Sequence, residues 1–138
     1  MIEMETLSAI EKYDQRRSGP MKEEIPKAAW KKFLDDVTEF RAGWLVTLEL
    51  LDPDYGDQHE ADHLPLFTIE YDDEDDTVIV ELLKAGDPKE IGLRHLVEHP
   101  SSIEADPPAP TEVNSIRIQG PENVTIVELQ PVPELPAE

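Results

Sequence analysis

The sequence predicts an α+β fold: one amphipathic helix packed on an antiparallel meander of five to seven short strands, as an open sheet or half-barrel, behind a short N-terminal helical extension. Three observations lead there. Apolar residues from Trp30 to Phe40 recur at the helical period; after Gly43 the period drops to two and holds as far as Leu129; the segments between these runs are rich in Gly, Pro, Asp and Asn. At 138 residues the chain has the length of one domain, and with no cysteine it has no disulfide to rely on. The predicted division is an amphipathic extension over 1–24, a single domain over 25–130 and a Pro-rich disordered tail over 131–138.

The extension places Ile2, Leu7, Ile10 and Tyr13 on an imperfect helical stripe that ends at Ser18-Gly19-Pro20. A helix this short is marginal alone, so it serves as a docking arm or frays. The next helix is far better defined. Pro26 stands in its first turn, where a missing N–H costs nothing, and Trp30, Phe33, Leu34, Val37 and Phe40 run down one face. Lys27, Lys31, Lys32, Asp35, Asp36 and Glu39 hold the other face, and Gly43 ends the helix.

Beyond Gly43, Trp44, Val46, Leu48 and Leu50 alternate with their neighbours as a first strand. Phe67, Ile69 and Tyr71 mark a second, and Val78, Val80 and Leu82 a third. The turn DDEDD (72–76) joins the last two, and Gly86-Asp87-Pro88 closes the third. GLRHLVE (92–98) reads as a fourth strand interrupted near Pro100 and resuming over 102–105. DPPAPTE (106–112) is a connection, and GPEN is a hairpin loop between Ser115–Gln119 and Val124–Leu129.

The block from Ile25 to about Leu129 carries IPKAAWKKFLDDV, GWLVTLELLDPDYG, LPLFTIEYD and HLVEHPSSIE in that order. It resembles a bacterial family of small proteins known only as a domain of unknown function. The resemblance implies a helix followed by strands, with no activity to transfer and no metal required at residues 59–63.

Charge narrows the function classes. The chain holds 12 basic and 32 acidic side chains, a net −20, and 23 of the acids with only four of the bases lie beyond residue 43. Such a field repels nucleic acid and anionic membranes and attracts basic protein surfaces. The acidic start lacks the basic and apolar regions of a signal peptide, so the expected location is the cytoplasm.

Two strings spell zinc motifs. HEADH places His59, Glu60 and His63 as H-E-x-x-H, and HLVEH places His95, Glu98 and His99 in the inverted form. That chemistry needs a helix, on which both imidazoles face one zinc and Glu60 reaches its water as general base. Gly56 and Pro65 bracket HEADH, and in an extended chain residues 59 and 63 stand about 13 Å apart, beyond the reach of one ion. The sequence therefore predicts no catalytic residue and no cofactor. Its alternative is a zinc-dependent hydrolase through His59, Glu60 and His63 of the HEADH string, or a non-catalytic zinc site assembled from the histidines of the two strings, His59, His63, His95 and His99, with Asp57 or Asp62.

EYDDEDD (70–76) supplies six carboxylates in seven positions without the spacing of a calcium loop. A solvated turn is the simpler reading; the functional one makes Asp72, Asp73, Asp75 and Asp76 the contacts for a basic partner. The function expected is a non-enzymatic acidic binding or accessory protein, a monomer or weak homodimer, with a DNA-mimic inhibitor as the sharper variant. A pH sensor acting through the four histidines is a third possibility.

Overall fold

The switch of period at Gly43 separates a helix from most of a large sheet. The computed structural model describes residues 22–54 and 56–133. The expected helical extension lies outside the described residues up to residue 21, as does the tail from residue 134.

Ahead of the helix, Pro26 opens a 3-10 turn over Lys27–Ala29, and helix α1 follows over Trp30–Arg41. Trp30, Phe33, Leu34 and Val37 are buried as their spacing requires, but Phe40 is 49% exposed and Arg41 is buried in its place. The helical period explains the exchange. At about 100° per residue, Arg41 falls within about 30° of the centre of the apolar stripe and Phe40 about 70° from it.

The expectation of an α+β fold with five to seven short strands is overturned. The described residues are predominantly β, with eight strands among them in a single sheet: β1 Glu23–Glu24, β2 Leu45–Asp52, β3 Gly56–Asp72, β4 Thr77–Lys84, β5 Asp87–Glu98, β6 Ser102–Asp106, β7 Ser115–Gln119 and β8 Val124–Gln130. Their order across the sheet is β1-β6-β7-β8-β2-β3-β4-β5, and each of these pairs is antiparallel. Nor are the strands all short, since β3 has 17 residues and β5 has 12.

Strand β3 determines the architecture because it changes partner along its length. Its first half pairs with β2, from Asp52↔Gly56 to Leu45↔Pro65, and its second half pairs with β4, from Leu66↔Leu82 to Asp72↔Thr77. The change is made by bulges. Glu49 and Leu48 oppose His59 and Ala61, leaving Glu60 extra; Leu48 and Val46 then oppose Ala61 and Leu64, with His63 at φ 61°. A further shift lies between Leu66 and Thr68. Each bulge bends and coils its strand, so the sheet folds over onto its own inner face.

The last bulge also breaks the expected alternation of Phe67, Ile69 and Tyr71 at its first member. Leu66, Ile69 and Tyr71 point inward, whereas Phe67 is 46% exposed. The core gathers Val46, Leu48, Val78, Val80, Leu82, Ile103, Ile116, Ile118 and Val127 from the sheet, and α1 closes over it along β3. Trp30 meets Tyr71 edge to face at 5.2 Å and donates its indole N–H to the Ile25 carbonyl at 2.8 Å. Thr38 Oγ1 donates to the Ile69 carbonyl (2.7 Å) and accepts from the Ile69 N–H (2.9 Å), so one side chain fastens the helix to the backbone of β3.

Candidate functional site: the outer face of β3–β4–β5

In a strand, successive side chains point to opposite faces, so the register lists what shares a face. Tyr71, Val78 and Val97 form one inward row, and Ile69, Val80 and His95 the next. The outward rows are Asp72–Thr77–Glu98, Glu70–Ile79–Leu96 and Thr68–Glu81–Arg94, followed by Leu83 beside Ile91. The result is an apolar column bordered by carboxylates. Leu96 and Ile91 are 42% and 40% exposed, among the most exposed large apolar side chains in the described residues. The Arg94 Nε stands 3.1 Å from Glu81 Oε2, an ion pair that compensates the Arg94 charge on this face. At the end near the 72–76 turn, a shallow depression of about 440 Å³ has Ile79, Thr77 and Leu96 with Asp72, Asp75 and Glu98 around it, together with Arg94 and His99, which are paired with Glu81 and Asp76.

The four aspartates expected to contact a partner divide by role. Asp72 Oδ1 accepts the N–H groups of Glu74 (3.0 Å) and Asp75 (3.3 Å), so Asp72 builds the turn. Asp76 takes the left-handed conformation (φ 53°) and acts as a latch. Its Oδ1 accepts the Tyr71 hydroxyl at 2.6 Å, its Oδ2 stands 3.3 Å from His99 Nδ1, and its backbone carbonyl accepts the His99 N–H at 2.8 Å. The Tyr71 hydrogen bond, then His99, and the charge of Lys27 hold the Asp76 carboxyl below the usual range. The same hydrogen bond, with burial, pushes Tyr71 up to about 12. Asp73 and Asp75 are left exposed at the tip and available to solvent.

Glu70, Glu98, Ile79 and Leu96 were not among the expected contacts. A signal for them exists in the sequence: Val78-Ile79-Val80 and Leu96-Val97 are unbroken apolar runs, which on a strand place apolar side chains on both faces.

The histidines are dispersed. His59 pairs across strands with Glu49 (Nε2 to Oε2, 2.7 Å), His63 with Asp62, and His99 with Asp76. His95 points inward, its Nε2 3.0 Å from Thr125 Oγ1 on β8; burial pushes its pKa down, against the opposing charge of Glu60. Residues 59–63 lie in a bulged strand, so the helix that H-E-x-x-H chemistry requires is not formed there. Among the described residues, no group of three or more His, Asp or Glu is placed to hold a metal ion.

No helix among the described residues is long and apolar enough to cross a membrane. No solved structure matches the chain. An uncharacterised protein of Aquifex aeolicus is 33% identical over 79 residues, which cover 57% of this chain and 65% of that protein. Residues 21–138 match the model of a family of unknown function, DUF5335, and with most of the chain so covered, the protein belongs to that family.

Proposed function

We propose that this protein is a non-enzymatic binding module of the bacterial cytoplasm that captures a basic protein surface on the outer face of β3–β4–β5. One observation carries the reading. That face combines an exposed apolar column, Ile79, Leu96, Leu83 and Ile91, with Asp72, Glu70 and Glu98 along its border and Asp73 and Asp75 at its tip. Apolar area supplies the driving force for association, and the uncompensated carboxylates select a cationic partner and speed its encounter. Acids interleaved with apolar side chains suit a protein partner better than they imitate a phosphate array, so the DNA-mimic variant is the weaker form of the idea.

The experiment is a titration with a cationic amphipathic peptide across salt. Between about 0.1 and 1 M salt the screening length falls from about 10 to about 3 Å, so affinity drops steeply if carboxylates steer the contact. Replacing Leu96 with Glu should weaken binding at every salt concentration while leaving the unfolding transition intact, since the side chain is exposed. Affinity indifferent to both salt and Leu96→Glu would sink the proposal.

A further inference from the structure

The binding-module reading identifies a face; the sheet topology adds a mode of contact. β5 stands at the end of the strand order, and among the described residues it pairs only with β4. The opposite edge is treated differently, because β1 there is two residues long, a common way of keeping an edge from recruiting other chains. β5 has no such restriction over its second half. A bulge falls at Gly92, where a Cβ would come within 2.9 Å of the Lys84 Cα, and beyond it Leu93 to Glu98 runs in uninterrupted register with β4 and contains no proline.

Beside this stretch lies a groove of about 340 Å³, with Leu96 to His99 along one wall and the β7–β8 turn, Gly120 to Asn123, along the other. The walls meet at the base, where a Cβ on Gly120 would lie 3.2 Å from Val97 Cγ1. Its charge is one-sided. Arg94 is occupied by Glu81, whereas Glu98 and Glu122, one on each wall, have no cation within 4 Å among the described residues.

We infer that the open edge of β5, from Leu93 to Glu98, is a strand-addition site for an extended basic segment of a partner protein, seated in the groove between β5 and the β7–β8 turn. This rests on the binding-module reading and specifies its partner. Main-chain bonds to the free edge supply affinity, and alternate side chains supply specificity. Directly opposed side chains on neighbouring strands come within about 5 Å. The partner strand therefore carries Lys or Arg opposite Glu98 and an apolar residue two positions along, opposite Leu96.

The test uses wild-type protein and an eight-residue peptide, Lys-Thr-Val-Thr-Lys-Thr-Val-Thr, whose odd positions present Lys and Val in turn on one face of a strand, with two derivatives N-methylated at the odd or at the even positions. On a strand, alternate amides point to opposite sides, so only one derivative loses its bonds to β5. The expected result is salt-dependent binding of the parent peptide, slowed amide exchange at 93–98, and one derivative at least about tenfold weaker than the other, as loss of several main-chain bonds requires. If the parent binds but the two derivatives bind alike, strand addition is wrong and capture on the sheet face survives. If the parent does not bind even at low salt, both readings fail together.

Discussion

Arg41 is a buried cation with no carboxylate against it among the described residues, and its removal is the sharpest test of how α1 is held. Its Nε donates to the Val113 carbonyl at 3.0 Å and its Nη2 to the Thr111 carbonyl at 2.9 Å, while the guanidinium stacks on Trp44 with its carbon 3.9 Å from the ring centroid. The side chain thus ties the last turn of α1 to the connection between β6 and β7. In Arg41→Met most of the aliphatic packing survives and both hydrogen bonds are lost. A bond from a charged donor is worth about 1.5–3 kcal/mol, but Thr111 is exposed and water replaces its lost donor, so only the buried Val113 carbonyl registers fully. The stacking on Trp44 adds about 0.5–1 kcal/mol. The expected loss is about 3 kcal/mol. With a urea slope of about 2 kcal/mol/M, the midpoint falls by about 1.5 M at unchanged slope. Arg41→Lys, which keeps the charge without the fork, should fall between wild type and Met. A Met variant within about 0.5 kcal/mol of wild type would show that the guanidinium contributes only bulk, and the argument from buried carbonyls would be refuted.

Three further outcomes follow from the geometry. Burial lowers the His95 pKa in the folded protein below the ordinary 6.5, so the unfolded chain takes up the proton first; stability is lost as pH falls below about 6.5, and His95→Gln should remove that component of the slope in urea titrations at pH 7.5 and 5.5. The Asp76 carboxyl, also held below its ordinary 3.8, has the same sign in a lower window, its contribution present above 3.8 and lost as pH falls below it, so the two windows do not overlap. Gly92→Ala drives a Cβ against the Lys84 backbone, which cannot rotate away, and should cost about 1–3 kcal/mol by the same assay; a neutral result would mean that β4 and β5 separate easily at the bulge. His63→Gly relieves a left-handed residue and should stabilise by up to about 1 kcal/mol, whereas His63→Val should destabilise by about 1–2 kcal/mol; equal stabilities would remove the strain argument.

Much of the candidate site was visible in the chain as composition and little of it as roles. The aspartates of the 72–76 turn were identifiable as a charged tip, yet nothing local distinguishes Asp72, spent on two turn amides, or Asp76, held by Tyr71 and His99, from the free Asp73 and Asp75. Those partners come from β3 and from the end of β5, up to 23 residues away. The exchange of Phe40 for Arg41 is a different kind of miss, because the angular position of each was contained in the spacing itself.

What the sequence by itself determined is what short-range periods encode: one helix behind Pro26, strands on either side of the 72–76 and 120–123 turns, and a strongly acidic second half. What only the tertiary structure decided is which strands neighbour which. HEADH carries no strand period and Phe67 to Tyr71 read as a strand of its own, yet both became parts of one 17-residue strand because β2 supplies hydrogen-bond partners to the first half and β4 to the second. Strand pairing is a bargain between backbones distant in sequence, and bulges such as those at Glu60 and His63 leave no periodic trace. Alternation shows that two faces exist; which of them is covered by α1, and that β5 is left with an open edge, emerges only when the whole sheet has closed over its core.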